Sequence, residues 1–461
     1  MAVGKMAETL QAPLATDTAP SSSAQEKCDH SPDVSKLQDP EAATLEKSVS
    51  TEPLQPEPPF PEGGLQAWLV VFGAWAGLFA GLGITNTIAV FQSYISTHQL
   101  AGYSESSIGW IFSLYTFLAF FCGIYIGPIF DKYGPRWLIA AGVVCVVAAQ
   151  MLFSICTEYW HFILVFGVLN GTGCSLLFTP CLASVGHFFR ERRGFATGIA
   201  SAGGSIGGIV APLMLNSLFS NPSLGWEWGI RIYGFLCLGL LSLALIFVRS
   251  RLPPKQNASI HPDPKIFKQK PFLYTTIAVF LMEFALFIPI GYISSYARAQ
   301  GFSESFSFYI LTIMNAGSFF GRVLPGWYAD RIGAFNTNTI ATFLSIIACF
   351  VIWLPFGHTK PGIIVFAIVI GIAGGTNISI TPVCISRLCP TESYGRYYAT
   401  CFSVVSIACL IGIPIGGSII SACDGDYWAL IVFTGILYVL SFVMFLVAKS
   451  ASVGWRLLAV Y

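Results

Sequence analysis

Residues 187–212 read HFFRERRGFATGIASAGGSIGGIVAP, and this stretch decides the fold class. Four charged residues at 190–193 precede a segment that carries no charge before Glu227. Such an edge is typical of a chain that leaves a basic cytosolic loop and enters lipid. Glycine and alanine recur three to five residues apart in this segment, so a helix would gather them on one face that a second helix can approach closely. No GxxxxGK(S/T) pattern follows, which argues against a soluble phosphate-binding loop.

The composition also indicates a membrane protein. The 461 residues are 54% hydrophobic and only 10% charged, with a mean hydropathy of +0.69, whereas about 25% of a soluble domain is charged. A net charge of +1 gives no reason to expect a nucleic-acid partner. The 13 cysteines are scattered and form no CxxC pair, so we predict reduced packing residues rather than a metal or disulfide framework.

Apolar runs of a length that crosses a bilayer as a helix recur along the chain. We predict twelve spans, near 67–92, 107–129, 137–156, 161–183, 195–219, 231–249, 272–296, 306–327, 337–355, 361–385, 397–420 and 427–448. The longest polar break follows the sixth run. The predicted fold is therefore an all-α integral membrane protein with twelve transmembrane helices in two six-helix bundles. The predicted divisions are a disordered cytosolic tail at 1–60, bundles at 61–249 and 271–449, a cytosolic central loop at 250–270 and a cytosolic C-terminal tail at 450–461.

Lysine and arginine are unevenly distributed between the predicted loops. With the N-terminus inside, the inner loops carry fourteen: Lys132, Arg136, Arg190, Arg192, Arg193, Arg249, Arg251, Lys255, Lys265, Lys268, Lys270, Arg331, Arg387 and Arg396. The outer loops carry three: Arg231, Arg298 and Lys360. Because basic loops stay on the cytosolic side, we predict cytosolic termini on a multi-pass protein, and we expect the plasma membrane.

The loops after the second and eighth spans contain a repeated motif. Residues 127–136 read GPIFDKYGPR and residues 326–333 read GWYADRIG, which share GxxxD(K/R)xG 199 residues apart. A single copy could be a tight turn with charged flanks, but two copies in equivalent places indicate parallel repeats with a substrate path between them. An acid at a helix end can hold a neighbouring helix N-terminus in one state and release it in another. The predicted gating residues are Asp131, Lys132, Arg136, Asp330 and Arg331.

Three motifs carry a resemblance to a known family. The GxxxD(K/R)xG loop resembles the signature of the major facilitator superfamily. Residues 62–68, EGGLQAW, and residues 188–198, FFRERRGFATG, are similar to the entry and fifth-span motifs of its monocarboxylate transporter-like branch, in the fungal form. The resemblance covers about residues 61–449. It implies transport by alternating access between two six-helix bundles.

Departures from the family pattern bear on the substrate. The resemblance implies that Arg322 binds a carboxylate, while Ser318 stands where the family has an acid and Asn86 where it has a lysine. The acid–arginine pair that lactate carriers of this family use for proton coupling is therefore incomplete here. Arg193 keeps the basic residue that the family has at the mouth of span 5, and Thr197, one turn later, stands where the family often has Asn. The resemblance implies a substrate-binding or coupling role for both positions.

Glu283 and Arg322 are the charges that fall clearly inside predicted spans. A charge at the centre of a span costs about 2.5–3.5 kcal/mol on insertion scales, so each must face a cavity or a partner. Structural alternatives stay open: Glu283 as a hydrogen bond between helices, and Arg322 as a snorkelling residue. Helical rise separates the two by roughly 10 Å in depth, so we predict no direct ion pair. Asn315 is a further polar residue that can bind substrate or join helices.

No enzymatic motif is present: HExxH, GxSxG after a strand, a P-loop and a heme CxxCH are all absent. We therefore predict no catalytic residue, no cofactor and no metal site. The leading hypothesis is a secondary active transporter of a small organic anion, a monocarboxylate or a carboxylate-bearing metabolite, with a coupled proton. The alternatives are a carrier or exporter of a vitamin or specialised metabolite, and, from another class, a non-transporting nutrient sensor. His187 beside the basic loop is expected to be a solvated interfacial residue.

Overall fold

A computed structural model describes residues 60–253 and 259–453, so most of the two predicted tails and part of the central loop lie outside the described residues. The described chain is helical, with long helices in the predicted order. We number them α1 Gly64–Thr97, α2 Ser106–Tyr133, α3 Arg136–Phe153, α4 Tyr159–Phe188, α5 Arg193–Phe219, α6 Gly225–Phe247, α7 Lys270–Ala299, α8 Glu304–Ile332, α9 Ala334–Phe356, α10 Lys360–Ser386, α11 Thr391–Ala422 and α12 Trp428–Ser452. A short 3-10 helix, Pro264–Lys268, lies between α6 and α7.

Eleven of these helices are long and apolar enough to cross a membrane. The remaining one, α8, has 29 residues and covers the predicted eighth span. Its lower apolar content follows from polar side chains such as Asn315, Arg322 and Asp330, of which the first two are buried inside the protein. The all-helical, twelve-span fold class is thereby confirmed.

The helix ends follow local sequence signals. The side chains of Ser104, Ser303 and Thr359 each accept a hydrogen bond from a backbone N–H in the first turn of α2, α8 and α10, as N-cap residues do. At the other end, α2 and α8 stop at Gly134 and Gly333, whose φ angles are +79° and +93°. Only glycine adopts such angles without strain, which explains the second glycine of the repeated motif.

The small residues of α5 pack against two helices rather than one. A Cβ on Gly203 would lie 2.1 Å from the carbonyl oxygen of Trp75 in α1. A Cβ on Gly198 would lie 2.3 Å from that of Arg322 in α8. The single close face expected from the spacing is thus two faces, because residues three to five apart spread around a helix. The α5 helix joins α1 of its own half to α8 of the other half.

The two halves, α1–α6 and α7–α12, contact each other mainly through the pairs α5–α8 and α2–α11. Gly127 in α2 lies so close to α11 that a Cβ would come 2.3 Å from the carbonyl oxygen of Gly395. By comparison, α1 and α7 make sparse contact. The cysteines within the described residues are free thiols and most are buried, in keeping with a packing role.

Candidate functional site: a central cavity between the halves

A cavity with about 730 Å³ of empty space, including its open part, lies between the two halves. Its wall is mostly apolar and includes four phenylalanines. Six polar side chains also line it: Thr85, Asn86, Glu283, Asn315, Ser318 and Arg322. The structure therefore brings together five of the residues that the sequence singled out, from helices α1, α7 and α8.

The guanidinium of Arg322 is buried and links the two halves. Its Nη1 donates to the carbonyl oxygen of Ser201 in α5 at 2.5 Å, and its Nε donates to Ser318 Oγ at 3.3 Å. Gly204 permits this position, since a Cβ there would lie 2.8 Å from Nη1. Within the described residues, no carboxylate lies within 4.0 Å of Arg322. Its positive charge is therefore not neutralised by a contacting acid.

Glu283 also lines the cavity, from α7. Its side chain is only 3% exposed, and its buried Oε1 has no hydrogen-bond partner in the described chain. No ion pair joins it to Arg322 within 4.0 Å, as the depth estimate predicted. A buried carboxylate without a partner is costly in its charged form. The site therefore favours a proton, a cation or a polar ligand at this position.

Asn86 and Asn315 meet across a glycine of α5. A Cβ on Gly208 would lie 2.8 Å from Asn315 Oδ1 and 2.9 Å from Asn86 Cβ. Each amide nitrogen donates to a carbonyl of its own helix, Leu82 at 3.0 Å and Leu311 at 3.1 Å. A further bond from Ser205 Oγ to Ser318 Oγ, 3.2 Å long, continues the polar seam between α5 and α8.

Arg193 and Thr197 are buried but do not line the cavity. Arg193 Nε donates to the carbonyl oxygen of Phe189 at 2.7 Å, and Nη2 donates to that of Gly186 at 2.6 Å. The guanidinium also lies 5.7 Å from the ring centre of Tyr394 in α11. In this conformation Arg193 fastens the loop between α4 and α5.

His187 is not the solvated residue that the sequence suggested. It is 3% exposed, and its Nδ1 lies 2.9 Å from Ser250 Oγ. The chain after α6 folds back over the end of α4, where Arg251 Nε donates to the carbonyl oxygen of His187 at 2.7 Å. The burial of His187 under the segment after α6 could not be predicted from its position beside a basic loop.

The two acids of the repeated motif make equivalent contacts across the halves. Asp330 accepts hydrogen bonds from the backbone N–H groups of Gly194 and Phe195, at 2.7 and 2.9 Å. Asp131 accepts from those of Gly395 and Arg396, at 3.0 and 2.9 Å. Each carboxylate thus sits at the N-terminus of a helix in the other half, where the helix dipole favours negative charge. We call these contacts the two acid caps.

The basic members of the predicted gating set lie beside the acid caps. The Arg331 guanidinium stacks 3.7 Å from the ring centre of Trp327. Lys132 Nζ lies 5.3 Å from the ring centre of Tyr133. Arg136 is exposed in the first turn of α3. The two acid caps join the halves at their basic end, and the role of all five residues in gating stays a prediction.

Glu62 makes a contact that the sequence did not predict. Its carboxylate accepts hydrogen bonds from three consecutive N–H groups, those of Arg190, Glu191 and Arg192, at 2.7, 2.9 and 3.2 Å. The ring of Phe60 lies nearby, with its centre 4.5 Å from the Arg251 guanidinium. The available signal was an acid directly before two glycines at the start of α1.

Comparisons with known proteins agree with this architecture. Residues 73–413 match the Major Facilitator Superfamily. The chain is 38% identical over 419 residues to "MFS-type transporter 1" of Ophiocordyceps sp., covering 89% of this chain and 92% of that one. It is 38% identical over 385 residues to the "Aspyridones efflux protein apdF" of Emericella nidulans, covering 83% and 78%. It is 36% identical over 420 residues to the "Riboflavin transporter MCH5" of Saccharomyces cerevisiae, covering 86% and 80%.

Solved structures are similar in fold. The human organic anion transporter MFSD10 superposes with a TM-score of 0.66 at 15% identity, over 82% of this chain and 98% of that one. The transporter FucP in its outward conformation gives 0.65 at 17% identity, over 83% and 98%. At these identities the likeness concerns the fold.

Proposed function

Given that the chain belongs to the Major Facilitator Superfamily, we propose that it carries an acidic metabolite with a largely apolar body by alternating access. It is a multi-pass membrane transporter of this superfamily. This substrate class combines the two transport hypotheses from the sequence, an organic anion and a specialised metabolite. Relatives named as efflux proteins favour export, whereas the sensor alternative has no such support.

The observation that carries the proposal is the buried Arg322 in an apolar cavity. The cavity wall includes Phe120, Phe178, Phe287 and Phe402, and such a wall suits a molecule with an apolar body as well as an acid group. Apolar walls with a few fixed polar groups are the usual form of a small-molecule site. Arginine binds a carboxylate through two parallel hydrogen bonds, and the missing acidic partner of Arg322 would be supplied by the substrate.

Glu283 supports a coupled proton in the same proposal. It lines the cavity, is buried, and has an unpartnered oxygen. A carboxyl in such a place can gain a proton on one side of the membrane and release it on the other. It would then take over the coupling role that Ser318 cannot perform.

The proposal also covers the orientation of the protein in the membrane and the side to which its cavity opens. The basic loops lie at the end where the two acid caps join the halves, so we propose that this end is closed and that it and both termini lie in the cytosol, with the protein in the plasma membrane. With that orientation the described conformation faces outward. In this proposal the bundles predicted at residues 61–249 and 271–449 move against each other.

A neutral aromatic vitamin or metabolite is the second candidate. The rings of Phe120, Phe178 and Phe402 lie within 6 Å of one another and form an aromatic floor. A flat ring system could stack there without an acid group. The role of Arg322 separates this candidate from the first.

A binding experiment tests the choice. Purified protein would be screened for ligand-induced thermal stabilisation with pairs of compounds, each an acid and its methyl ester. We expect stabilisation by acids but not by esters, and loss of most of it in Arg322→Lys, because lysine lacks the planar fork. Arg298→Lys, at the exposed end of α7, is the matched control. Equal stabilisation by acid and ester would favour the neutral candidate.

A further inference from the structure

A second, narrower space opens beside the central cavity, wholly within the first half. It contains about 290 Å³ of empty space, including its open part, but only a small fraction of that space is wide enough to admit a water molecule. Its lining includes Gly81, Thr85, Phe120, Cys174 and Phe178, from helices α1, α2 and α4. Thr85, Phe120 and Phe178 also line the central cavity, so the two spaces share a wall. We call this space the side pocket.

Gly81 leaves part of the side pocket empty. It is buried in α1, yet a Cβ built on it would meet no atom within 4 Å. One turn earlier, a Cβ on Gly77 would lie 2.7 Å from Cys181 Sγ, so that glycine is required by close packing. The backbone of Gly81 is helical and imposes no need for glycine. The absence of a side chain at this position therefore creates room rather than permitting a helix contact.

The polar groups around the side pocket bond to one another. The carbonyl oxygen of Gly81 accepts from Tyr115 Oη at 3.3 Å, from Thr85 Oγ1 at 3.5 Å and from Cys174 Sγ at 3.7 Å. Thr85 Oγ1 and Tyr115 Oη also share a hydrogen bond of 3.2 Å. Since these groups are already partnered, a guest need not supply a hydrogen bond. The remaining wall is aromatic and aliphatic, which favours a small apolar group.

We propose that the side pocket is a specificity subsite that receives the apolar end of the transported molecule, and that Gly81 sets the size of that end. This inference rests on the proposed function, because it assumes that the substrate occupies the central cavity. With the acid at Arg322, the other end of a mid-sized molecule passes Phe120 and Phe178 and enters the side pocket. A methyl group matches its narrow form, whereas an isopropyl group or a ring would be too wide to enter it.

The test uses carboxylic acids that share one head and body and end in hydrogen, methyl, isopropyl or phenyl. Binding to the purified full chain and uptake into proteoliposomes would be measured for the wild type, Gly81→Ala and Gly81→Val. Gly239→Ala and Gly239→Val are matched controls, because a Cβ there also meets nothing within 4 Å and Gly239 is exposed on α6. Gly81→Ala adds one methyl group into empty space, so it keeps the test usable if Gly81→Val folds poorly.

We expect the wild type to bind the methyl-ended acid more tightly than the acids that end in hydrogen, isopropyl or phenyl, and Gly81→Val to lose this preference for methyl over hydrogen. Each methylene excluded from the side pocket should reduce relative affinity about fourfold, the change that corresponds to 0.8 kcal/mol. An unchanged size ranking in both Gly81 variants would overturn the proposal, as would an equal shift in the Gly239 controls. Binding of the matching esters as well as the acids, with the size shift intact, would reject the acidic substrate while supporting the subsite.

Discussion

The acid cap formed by Asp330 should hold the basic end of the cavity closed. In Asp330→Asn the side chain keeps one acceptor oxygen but loses its charge and its second acceptor. Hydrogen bonds to charged groups contribute about 1.5–3 kcal/mol each, and Asp330 accepts two, at 2.7 and 2.9 Å. A loss equivalent to roughly one such bond, about 2 kcal/mol, would raise the population open at this end about 30-fold.

Hydrogen–deuterium exchange of the backbone amides measures this opening directly. The N–H groups of Gly194 and Phe195 donate to Asp330 in the first acid cap. Those of Gly395 and Arg396 donate to Asp131 in the second acid cap. If both acid caps close one common gate, Asp330→Asn should speed exchange at both pairs by a similar factor. The control is Asp263→Asn, because Asp263 caps only the short helix Pro264–Lys268 through Lys265 N–H.

Faster exchange at Gly194 and Phe195 alone would refute this reasoning. It would show local fraying of the α5 N-terminus, without a shared transition of the two halves. The same variant should reach the membrane in nearly normal amount and transport more slowly, because the conformational balance moves away from the cap-closed state.

Three further outcomes are expected. Glu283→Gln should abolish uphill accumulation driven by a pH gradient while still allowing substrate exchange, since exchange needs no net proton movement. Accumulation is measured in proteoliposomes, and full accumulation by the variant would remove Glu283 as the coupling residue. Glu62→Gln should speed amide exchange at Arg190, Glu191 and Arg192, which lose a charged acceptor, and unchanged exchange there would contradict the role of Glu62. Gly198→Val should cost roughly 1–3 kcal/mol by overpacking α5 against α8, seen as a lower Tm than in Gly239→Val, and equal Tm values would contradict the close approach.

Much of the fold was predictable because bilayer thickness fixes the length of each span and basic loops separate them. The least apolar helix, α8, was still found from the sequence, since its polar residues are too few to hide a 29-residue helix. The repeated motif also identified Asp131 and Asp330 before their contacts were known, because a motif at equivalent places in two halves implies equivalent geometry.

The site was predictable only in its polar part. Charged or amide side chains inside apolar runs are rare, so Glu283, Arg322 and Asn315 could be identified from the sequence as candidate site residues. Phe120 and Phe402 could not be distinguished from lipid-facing phenylalanines, because helices that are apolar on every side carry no facing signal. The family resemblance predicted a site role for Arg193, whereas in the structure Arg193 begins α5, bonds to the carbonyl oxygens of Phe189 and Gly186, and does not line the central cavity.

The central claim is that the substrate of this transporter is an acid bound by Arg322. The most direct measurement is uptake into proteoliposomes of a radiolabelled acid and of its methyl ester, with wild type, Arg322→Lys and Arg298→Lys. The claim predicts that the wild type and Arg298→Lys take up the acid but not its ester. Uptake of the acid by Arg322→Lys should be at least tenfold lower, because breaking a bidentate pair should cost about 1.4 kcal/mol or more. Unchanged uptake of the acid by Arg322→Lys, or equal uptake of the ester by the wild type, would contradict it.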